Sequence, residues 1–129
     1  MSGSVTFDYT NNNKIFAVGE AQNLFETKWS SASNTAIHAY SDCESIGALA
    51  LAKGASSISD ISDAGAYDFS SRSRTPKLGE IVIWRNKNGI YAATQIVSIK
   101  DDRRGHDTNE LSFEYVILAE GGRDFSADG

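Results

Sequence analysis

Two tryptophans and a group of arginines are the side chains best suited to hold a ligand. Trp29 and Trp84 carry flat rings on which a sugar ring, a base or a cation can stack, although burial in a core is the stronger explanation of each. Arg72 and Arg74 lie among serines and a threonine, and a guanidinium group can hold a carboxylate or a phosphate with two hydrogen bonds. The competing interpretation is a flexible connector in which Asp68 neutralises one arginine. The predicted ligand-binding residues are Trp29, Trp84, Tyr91, Arg72, Arg74 and Arg85.

One cysteine and one histidine are close enough in sequence to suggest nucleophilic catalysis. Cys43 follows His38 by five residues and adjoins Asp42, so a turn that joined thiol and imidazole would allow deprotonation of the thiol. A cysteine at the end of a strand is more often a small buried apolar residue. The chain has no Walker A, His-Glu-x-x-His, Cys-x-x-Cys or Gly-x-Ser-x-Gly motif, and its few histidines and cysteines do not suggest a zinc site. We therefore predict no enzymatic activity, no metal and no cofactor, and keep a Cys/His hydrolase as the third hypothesis.

The most charged stretch is the loop at residues 100–110. Its acids could supply oxygen ligands to a hard cation, but the adjacent Arg103 and Arg104 oppose cation binding, and the spacing differs from an EF-hand loop. A solvated hairpin loop with internal Asp–Arg pairs is the favoured interpretation. Together with a net charge of −5, the same acids indicate a second function, a small acidic inhibitor or immunity-type protein that binds a basic protein surface. The four acids are Asp101, Asp102, Asp107 and Glu110.

The elements that must position these residues centre on the stretch 79–118. Three runs rich in β-branched and aromatic residues are separated by polar breaks, which predicts a three-strand antiparallel meander. Asn88-Gly89 predicts a tight hairpin turn, because both residues tolerate the positive φ that such a turn needs. The run Leu-Gly-Glu-Ile-Val-Ile-Trp followed by Asn-Gly-Ile-Tyr-Ala-Ala-Thr-Gln-Ile resembles the opening hairpin of SH3-like and Tudor-like small barrels. That resemblance implies a small barrel and transfers no site residue.

Alternation of apolar and polar residues predicts further short strands before the meander. Residues 5–9 and 14–18 are predicted to form a hairpin around an asparagine cluster, and residues 24–29 and 35–40 two more strands. The stretch 46–53 is open between strand and helix, with a strand favoured. The predicted fold class is therefore mainly β: a single-domain antiparallel small barrel or sandwich of about seven or eight strands, with one short helix or 3₁₀ turn near residues 60–67.

Length and composition indicate one small domain. A chain of 129 residues fits a single domain, predicted over residues 1–120, with residues 121–129 as a frayed tail that has little to bury. The single Cys43 excludes an internal disulfide and, with no signal peptide and no apolar membrane span, predicts a cytoplasmic protein without a membrane partner. The acidic net charge argues against non-specific binding to duplex nucleic acid. The favoured function is a non-enzymatic module that binds a polar small molecule, sugar-like or nucleotide-like.

Overall fold

The computed structural model describes residues 1–101, 109–119 and 121–126, and their strands form two antiparallel β-sheets. The five-stranded sheet has the order β1-β9-β8-β7-β5 and the four-stranded sheet the order β2-β3-β4-β6. The sandwich of the predicted fold class is confirmed, and the strands do not close into the barrel that the SH3-like resemblance implied. The strands are β1 (Ser2–Phe7), β2 (Ile15–Val18), β3 (Phe25–Ser31), β4 (Ile37–Tyr40), β5 (Ile46–Leu51), β6 (Ser73–Arg74), β7 (Ile81–Asn86), β8 (Tyr91–Lys100) and β9 (Glu110–Ile117).

The predicted meander is confirmed as the centre of the five-stranded sheet. β8 pairs antiparallel with β7 on one side and with β9 on the other. Gly89 adopts a φ of 79° in the turn between β7 and β8, and its amide donates to the Asn86 carbonyl oxygen at 3.0 Å. The favoured strand interpretation of residues 46–53 is also confirmed, since β5 pairs with β7. Central strands of this kind are apolar on both faces because each face is covered.

The predicted N-terminal hairpin is wrong. β1 pairs with β9 in the five-stranded sheet, whereas β2 pairs with β3 in the four-stranded sheet. Asn13 and Lys14 have φ angles of 57° and 68° and turn the chain from one sheet to the other. Alternation along a strand reports which face is buried, but it does not report which strand lies alongside. The pairing of β1 with β9 brings together residues that are distant in sequence.

Two hydrophobic clusters lie on opposite faces of the five-stranded sheet. The first fills the space between the sheets and contains Trp29, Trp84 and Phe113. The second lies on the outer face, where Ile83 of β7 is grouped with Ile61 of the segment between β5 and β6. We call that segment, residues 52–72, the connector. The connector covers the outer face of β7, which explains why β7 is apolar on both faces.

The connector contains two 3₁₀ turns, Ile58–Asp60 and Ala64–Ala66, which bear out the turn predicted near residues 60–67. The first turn is stabilised by a capping box, in which the side chains of Ser57 and Asp60 each accept from the other's backbone amide. The chain after β9 returns to this layer. Phe125 is fully buried in the second cluster, and its amide donates to the Ile61 carbonyl oxygen at 2.8 Å. Residues 121–126 therefore do bury an aromatic ring, contrary to the expectation of a tail with little to bury.

Candidate ligand groove

Both tryptophans lie in the core between the sheets and have no exposed surface. Their ring centroids are 5.4 Å apart in an edge-to-face arrangement. Trp29 Nε1 donates to Thr27 Oγ1 at 2.8 Å, and Trp84 Nε1 donates to Thr94 Oγ1 at 3.0 Å. Each indole N–H therefore has an acceptor within the protein, and neither ring presents a face on which a ligand could stack. Core packing accounts for both residues.

Arg72 forms an ion pair at the edge of the four-stranded sheet. Its Nε donates to Asp42 Oδ1 at 2.6 Å and its Nη2 to Asp42 Oδ2 at 2.8 Å, a bidentate geometry. The guanidinium carbon also lies 5.4 Å from the centre of the Tyr40 ring. The hydrogen bonds from Arg72 hold the pKa of Asp42 below its usual range and raise the pKa of Arg72 itself. The Arg72 guanidinium is therefore already paired with a carboxylate of the protein itself, that of Asp42.

Arg74, Arg85 and Tyr91 lie around one part of the connector. Arg74 Nη2 donates to the Asp68 carbonyl oxygen at 2.9 Å and lies 3.2 Å from Asp68 Oδ2, so the expected neutralisation of one arginine by Asp68 is observed. Arg85 places its guanidinium carbon 5.4 Å from the centre of the Phe69 ring. The Tyr91 ring is 6.0 Å from the same ring and is buried. Arg85 and Tyr91 therefore contact Phe69 of the connector from the five-stranded sheet, and Arg74 contacts Asp68 of the connector from the four-stranded sheet.

His38 and Cys43 have separate environments. His38 Nδ1 is hydrogen-bonded to Thr75 Oγ1 at 2.8 Å, while Cys43 packs against the core between the sheets. Burial raises the pKa of the Cys43 thiol, and the neighbouring carboxylate of Glu26 raises it further. A raised pKa disfavours the thiolate that nucleophilic catalysis requires. Among the described residues, no three His, Cys, Asp or Glu side chains are grouped as metal ligands.

The acids at residues 100–110 differ in their exposure. Asp101 is fully buried and accepts a hydrogen bond from Ser31 Oγ at 2.5 Å. Glu110 lies 3.6 Å from the ammonium nitrogen of Lys100. Asp102 and Asp107, like Arg103 and Arg104, lie outside the described residues. Asp101 therefore stabilises the junction between the sheets and is not a surface charge available to a basic partner.

A polar groove lies on the outer face of the five-stranded sheet, at the margin of the connector. Its cavity volume is about 340 Å³. Ser4, Glu114 and Gln95 are cross-strand neighbours on β1, β9 and β8, so they form one row across the sheet. Adjacent strands are about 4.8 Å apart, which sets the spacing of the three side chains. The groove is lined by Ser2, Gly3, Ser4, Ser57, Ile58, Ser59, Gln95, Glu114, Tyr115 and Val116.

Several polar atoms of this groove have no partner among the described residues. The hydroxyl groups of Ser2 and Ser4 and the carboxylate of Glu114 make no hydrogen bond or ion pair there. Gln95 Nε2 donates to the Ser56 and Gly79 carbonyl oxygens, at 2.9 and 3.0 Å, which leaves Gln95 Oε1 as an acceptor. Glu114 is exposed, so its charge remains hydrated in the absence of a ligand. The row therefore combines hydroxyl donors with amide and carboxylate acceptors.

None of these groove residues belongs to the predicted ligand-binding set. The sequence does carry a partial signal, because Ser2, Ser4 and Thr6 alternate with core-facing residues and must share one face of a strand. Glu114 likewise alternates with the core-facing Phe113. The missing information is the pairing of β1 with β9, which no local pattern encodes.

Comparison with known proteins does not place the chain in a family. No protein-family model matches it, and no curated protein matches it significantly. Within residues 1–101, 109–119 and 121–126, no helix is long and apolar enough to cross a membrane.

Proposed function

We propose that this chain is a non-enzymatic binding module that holds a neutral, polyhydroxylated small molecule of the sugar type in the polar groove. The observation that carries the proposal is the row of Ser4, Glu114 and Gln95 beside a cavity of about 340 Å³. The Ser4 hydroxyl, the Glu114 carboxylate and Gln95 Oε1 have no partner among the described residues, whereas Gln95 Nε2 is bonded to backbone carbonyl groups. Small-molecule sites commonly have volumes of about 300–1,000 Å³ and use a few convergent polar groups to fix orientation. The groove has both properties.

The charge of the groove favours a sugar-like ligand over a nucleotide-like one. Glu114 is the one charged side chain among the lining residues, and no lysine or arginine from the described part of the chain lines the groove. A carboxylate accepts strong hydrogen bonds from hydroxyl groups, whereas it repels a phosphate. Arg72 and Arg74, the arginines expected to bind phosphate, each form an ion pair within the protein, with Asp42 and Asp68.

Apolar side chains complete the fit. Ile58 and Val116 line the groove beside the polar row and are almost fully buried. A sugar ring presents hydroxyl groups at its rim and C–H groups on its faces, so a surface with both polar and apolar parts matches it. This role replaces the one that sequence reasoning gave to Trp29 and Trp84, whose rings are enclosed in the core.

An NMR titration with neutral mono- and disaccharides tests the proposal, with nucleoside monophosphates as the contrasting ligands. Binding of a saccharide is expected to shift the backbone amides of Ser4, Gln95 and Glu114. Glu114→Gln is expected to weaken that binding at least about tenfold, because hydrogen bonds to charged groups contribute about 1.5–3 kcal/mol. Glu44→Gln is the matched control, since the Glu44 side chain is 91% exposed in a loop and does not line the groove.

Two outcomes would contradict the proposal. One is that no saccharide shifts the groove amides. The other is that Glu44→Gln weakens saccharide binding as much as Glu114→Gln does. Preferential shifts with nucleoside monophosphates would favour the nucleotide-like class instead.

A basic protein surface is the alternative partner, and it is supported by the net charge of −5. Capture of a protein partner at low salt, lost at high salt, would favour this alternative, because screening weakens attraction between exposed charges. The burial of Asp101 removes one of the four acids on which this alternative was based. Cytoplasmic location stays a prediction from the lone Cys43 and the N-terminal sequence.

A further inference from the structure

The outer edge of β1 exposes unpaired backbone groups. The Ile117 amide donates to the Met1 carbonyl oxygen at 2.7 Å, and the Met1 amine donates to the Ile117 carbonyl oxygen at 3.3 Å, so these residues form a hydrogen-bonded pair. Hydrogen-bonded and non-hydrogen-bonded pairs alternate along an antiparallel ladder. The backbone groups that point away from β9 are therefore those of Ser2, Ser4 and Thr6. β1 is the last strand of its sheet, and no other described strand pairs with it.

This edge lacks the features that usually prevent pairing with another chain. Exposed edges are commonly protected by charged side chains, proline, bulges or very short strands. β1 has six residues, carries no charge and no proline, and keeps a regular register with β9 throughout. Ser2, Ser4 and Thr6 are exposed. By contrast, β6, at one edge of the four-stranded sheet, is only two residues long, which is one of these protective features.

We propose that β1 pairs antiparallel with β1 of a second copy of this chain, across a two-fold axis at Ser4. A two-fold axis requires each residue to meet its symmetry-related partner on the same strand. With the axis at Ser4, the two Ser4 residues face each other, and Ser2 of each copy faces Thr6 of the other. These are the residues whose backbone N–H and C=O groups point outward, so all three pairs exchange hydrogen bonds and the two sheets become one.

The side chains fit this register on both faces of the joined sheet. On the outer face only hydroxyl groups meet, and hydroxyl pairs across strands are favourable. On the inner face Val5 of one copy lies opposite Gly3 of the other, which has no side chain of its own. The Tyr115 side chain lies beside Gly3, with Cε1 and the hydroxyl oxygen each 3.0 Å from where a Cβ would lie, so the incoming valine packs against that end of the ring.

The register that β1 makes with itself selects a second copy as the occupant, and the lack of charge on β1 permits it. The chain carries a net charge of −5, so most approaches between two copies are repulsive. β1 is an uncharged stretch in which two copies meet without like charges opposite one another. The pairing also places two grooves side by side, because Ser2 and Ser4 line the groove of each copy. The pairing of β1 does not require a ligand in the groove.

Sedimentation velocity of the full chain over a concentration series tests the pairing. We expect a concentration-dependent dimer, and slowed hydrogen exchange at the amides of Ser2, Ser4 and Thr6 as the dimer forms. Ser4→Pro is expected to abolish the dimer, since proline removes the outward N–H at the two-fold axis while the bonds to β9 are made by other residues. A wild-type chain that stays monomeric at its highest soluble concentration overturns the proposal.

Two variants of opposite charge distinguish loss of the β1 pairing from loss of the folded structure. Ser4→Lys and Ser4→Glu alone are each expected to be monomeric, because like charges then lie opposite each other at the axis. A mixture of the two variants is expected to recover the dimer, which unfolded variants would not do. Gln22→Lys is the matched control, since it adds one positive charge at an exposed residue outside β1 and is expected to dimerise like the wild type. The proposed pairing is also overturned if the mixture fails to recover the dimer, or if Ser4→Pro dimerises at the same concentration as the wild type.

Discussion

The outer face of the five-stranded sheet has two halves that share one backbone and differ in chemistry. The half on β7 and the start of β8 carries Ile81, Ile83 and Ala93, and the connector and Phe125 pack over it. The half on β1 and β9 carries Ser4 and other hydroxyls together with the charged Glu114, and it is open to solvent. Burial of apolar surface stabilises the covered half, whereas desolvation of unpaired polar groups would destabilise the other half if it were covered. A single sheet face therefore supplies both a core and an open polar surface, which is the surface that we propose binds a ligand.

Gln95 marks the boundary between the two halves. Its Nε2 donates to the Ser56 carbonyl oxygen, at the start of the connector, and to the Gly79 carbonyl oxygen beside β7. Its Oε1 remains on the groove side. One side chain therefore secures the margin of the connector and belongs to the polar row. Substitutions in the covered half, at this boundary and in the open half are expected to have successively smaller effects on stability.

The largest effect is expected for Phe125→Ala in the covered half. Removing a fully buried phenylalanine side chain costs about 3–5 kcal/mol in the free energy of unfolding, because transfer free energy is lost and a cavity remains. Denaturant titration followed by circular dichroism measures the change. Gly122→Ala is the control, since a Cβ at Gly122 would meet nothing within 4 Å, and a change below about 0.5 kcal/mol is expected. Equal stabilities of the two variants would mean that the C-terminal segment does not contribute to the core.

An intermediate effect is expected for Gln95→Met at the boundary. This change keeps the length of the side chain and removes its two hydrogen bonds to backbone carbonyl groups, for a loss of about 1–2 kcal/mol. Hydrogen exchange should increase mainly at connector amides near Ser56. Val97→Met on the same strand is the comparison, because Val97 is 54% exposed. Uniform loosening of the whole sheet in Gln95→Met would argue against a role restricted to the boundary.

A smaller and local effect of pH is expected where the connector begins. Hydrogen bonds from the Ser56 hydroxyl, and from the Ser56 and Ser57 amides, lower the pKa of Asp60 below its ordinary value. A lowered folded-state pKa gives stability that is present above the ordinary value, about 4, and is lost as the pH falls through the lower folded value. The amide resonances of Ser56 and Ser57 should therefore change as the pH falls below about 4.

Asp60→Asn tests the cause of that pH dependence. The variant removes the carboxylate, so the resonances of Ser56 and Ser57 should lose their response to acid. Asp124→Asn is the control, because Asp124 accepts hydrogen bonds from Ser126 outside the connector and its pKa is also lowered. An unchanged acid response in Asp60→Asn would show that another group controls this region.

The smallest effect on stability is expected in the open half. Glu114→Gln removes an exposed carboxylate that has no described partner in the protein, so the free energy of unfolding should change by less than about 0.5 kcal/mol. The same variant is expected to weaken saccharide binding about tenfold or more. A loss of stability above about 1 kcal/mol would assign Glu114 a structural role and remove the distinction between the two halves.

Much of the fold was predictable, because side-chain alternation reports burial directly. The pattern in which Phe25, Thr27 and Trp29 share a face is observed, with all three buried in β3. The turn at Asn88-Gly89 was also predictable, since a positive φ restricts the choice of residue. The partner of β1 was not predictable from local patterns, because β1 and β9 are separated by more than a hundred positions in sequence. Proximity along the chain favoured β2 as the partner instead.

The candidate site was predicted less well than the fold. The residues chosen for their chemistry, two tryptophans and three arginines among them, are explained by core packing, ion pairing and attachment of the connector. Large aromatic and guanidinium groups serve as structural parts as readily as ligand contacts, so residue type alone does not distinguish the two uses. Serine, glutamine and glutamate on an exposed face give a weaker signal in the sequence.

The amino-acid sequence by itself determined a mainly β chain, its central meander and the face that each strand turns to the core. These features depend on neighbouring residues, through the two-residue period of a strand and the φ preferences of turns. Tertiary structure alone decided that β1 lies beside β9, that Phe125 packs beneath the connector, and that Ser4, Glu114 and Gln95 form one row. Such contacts join distant segments, and their stability comes from burial and hydrogen bonding that exist only after the chain has folded.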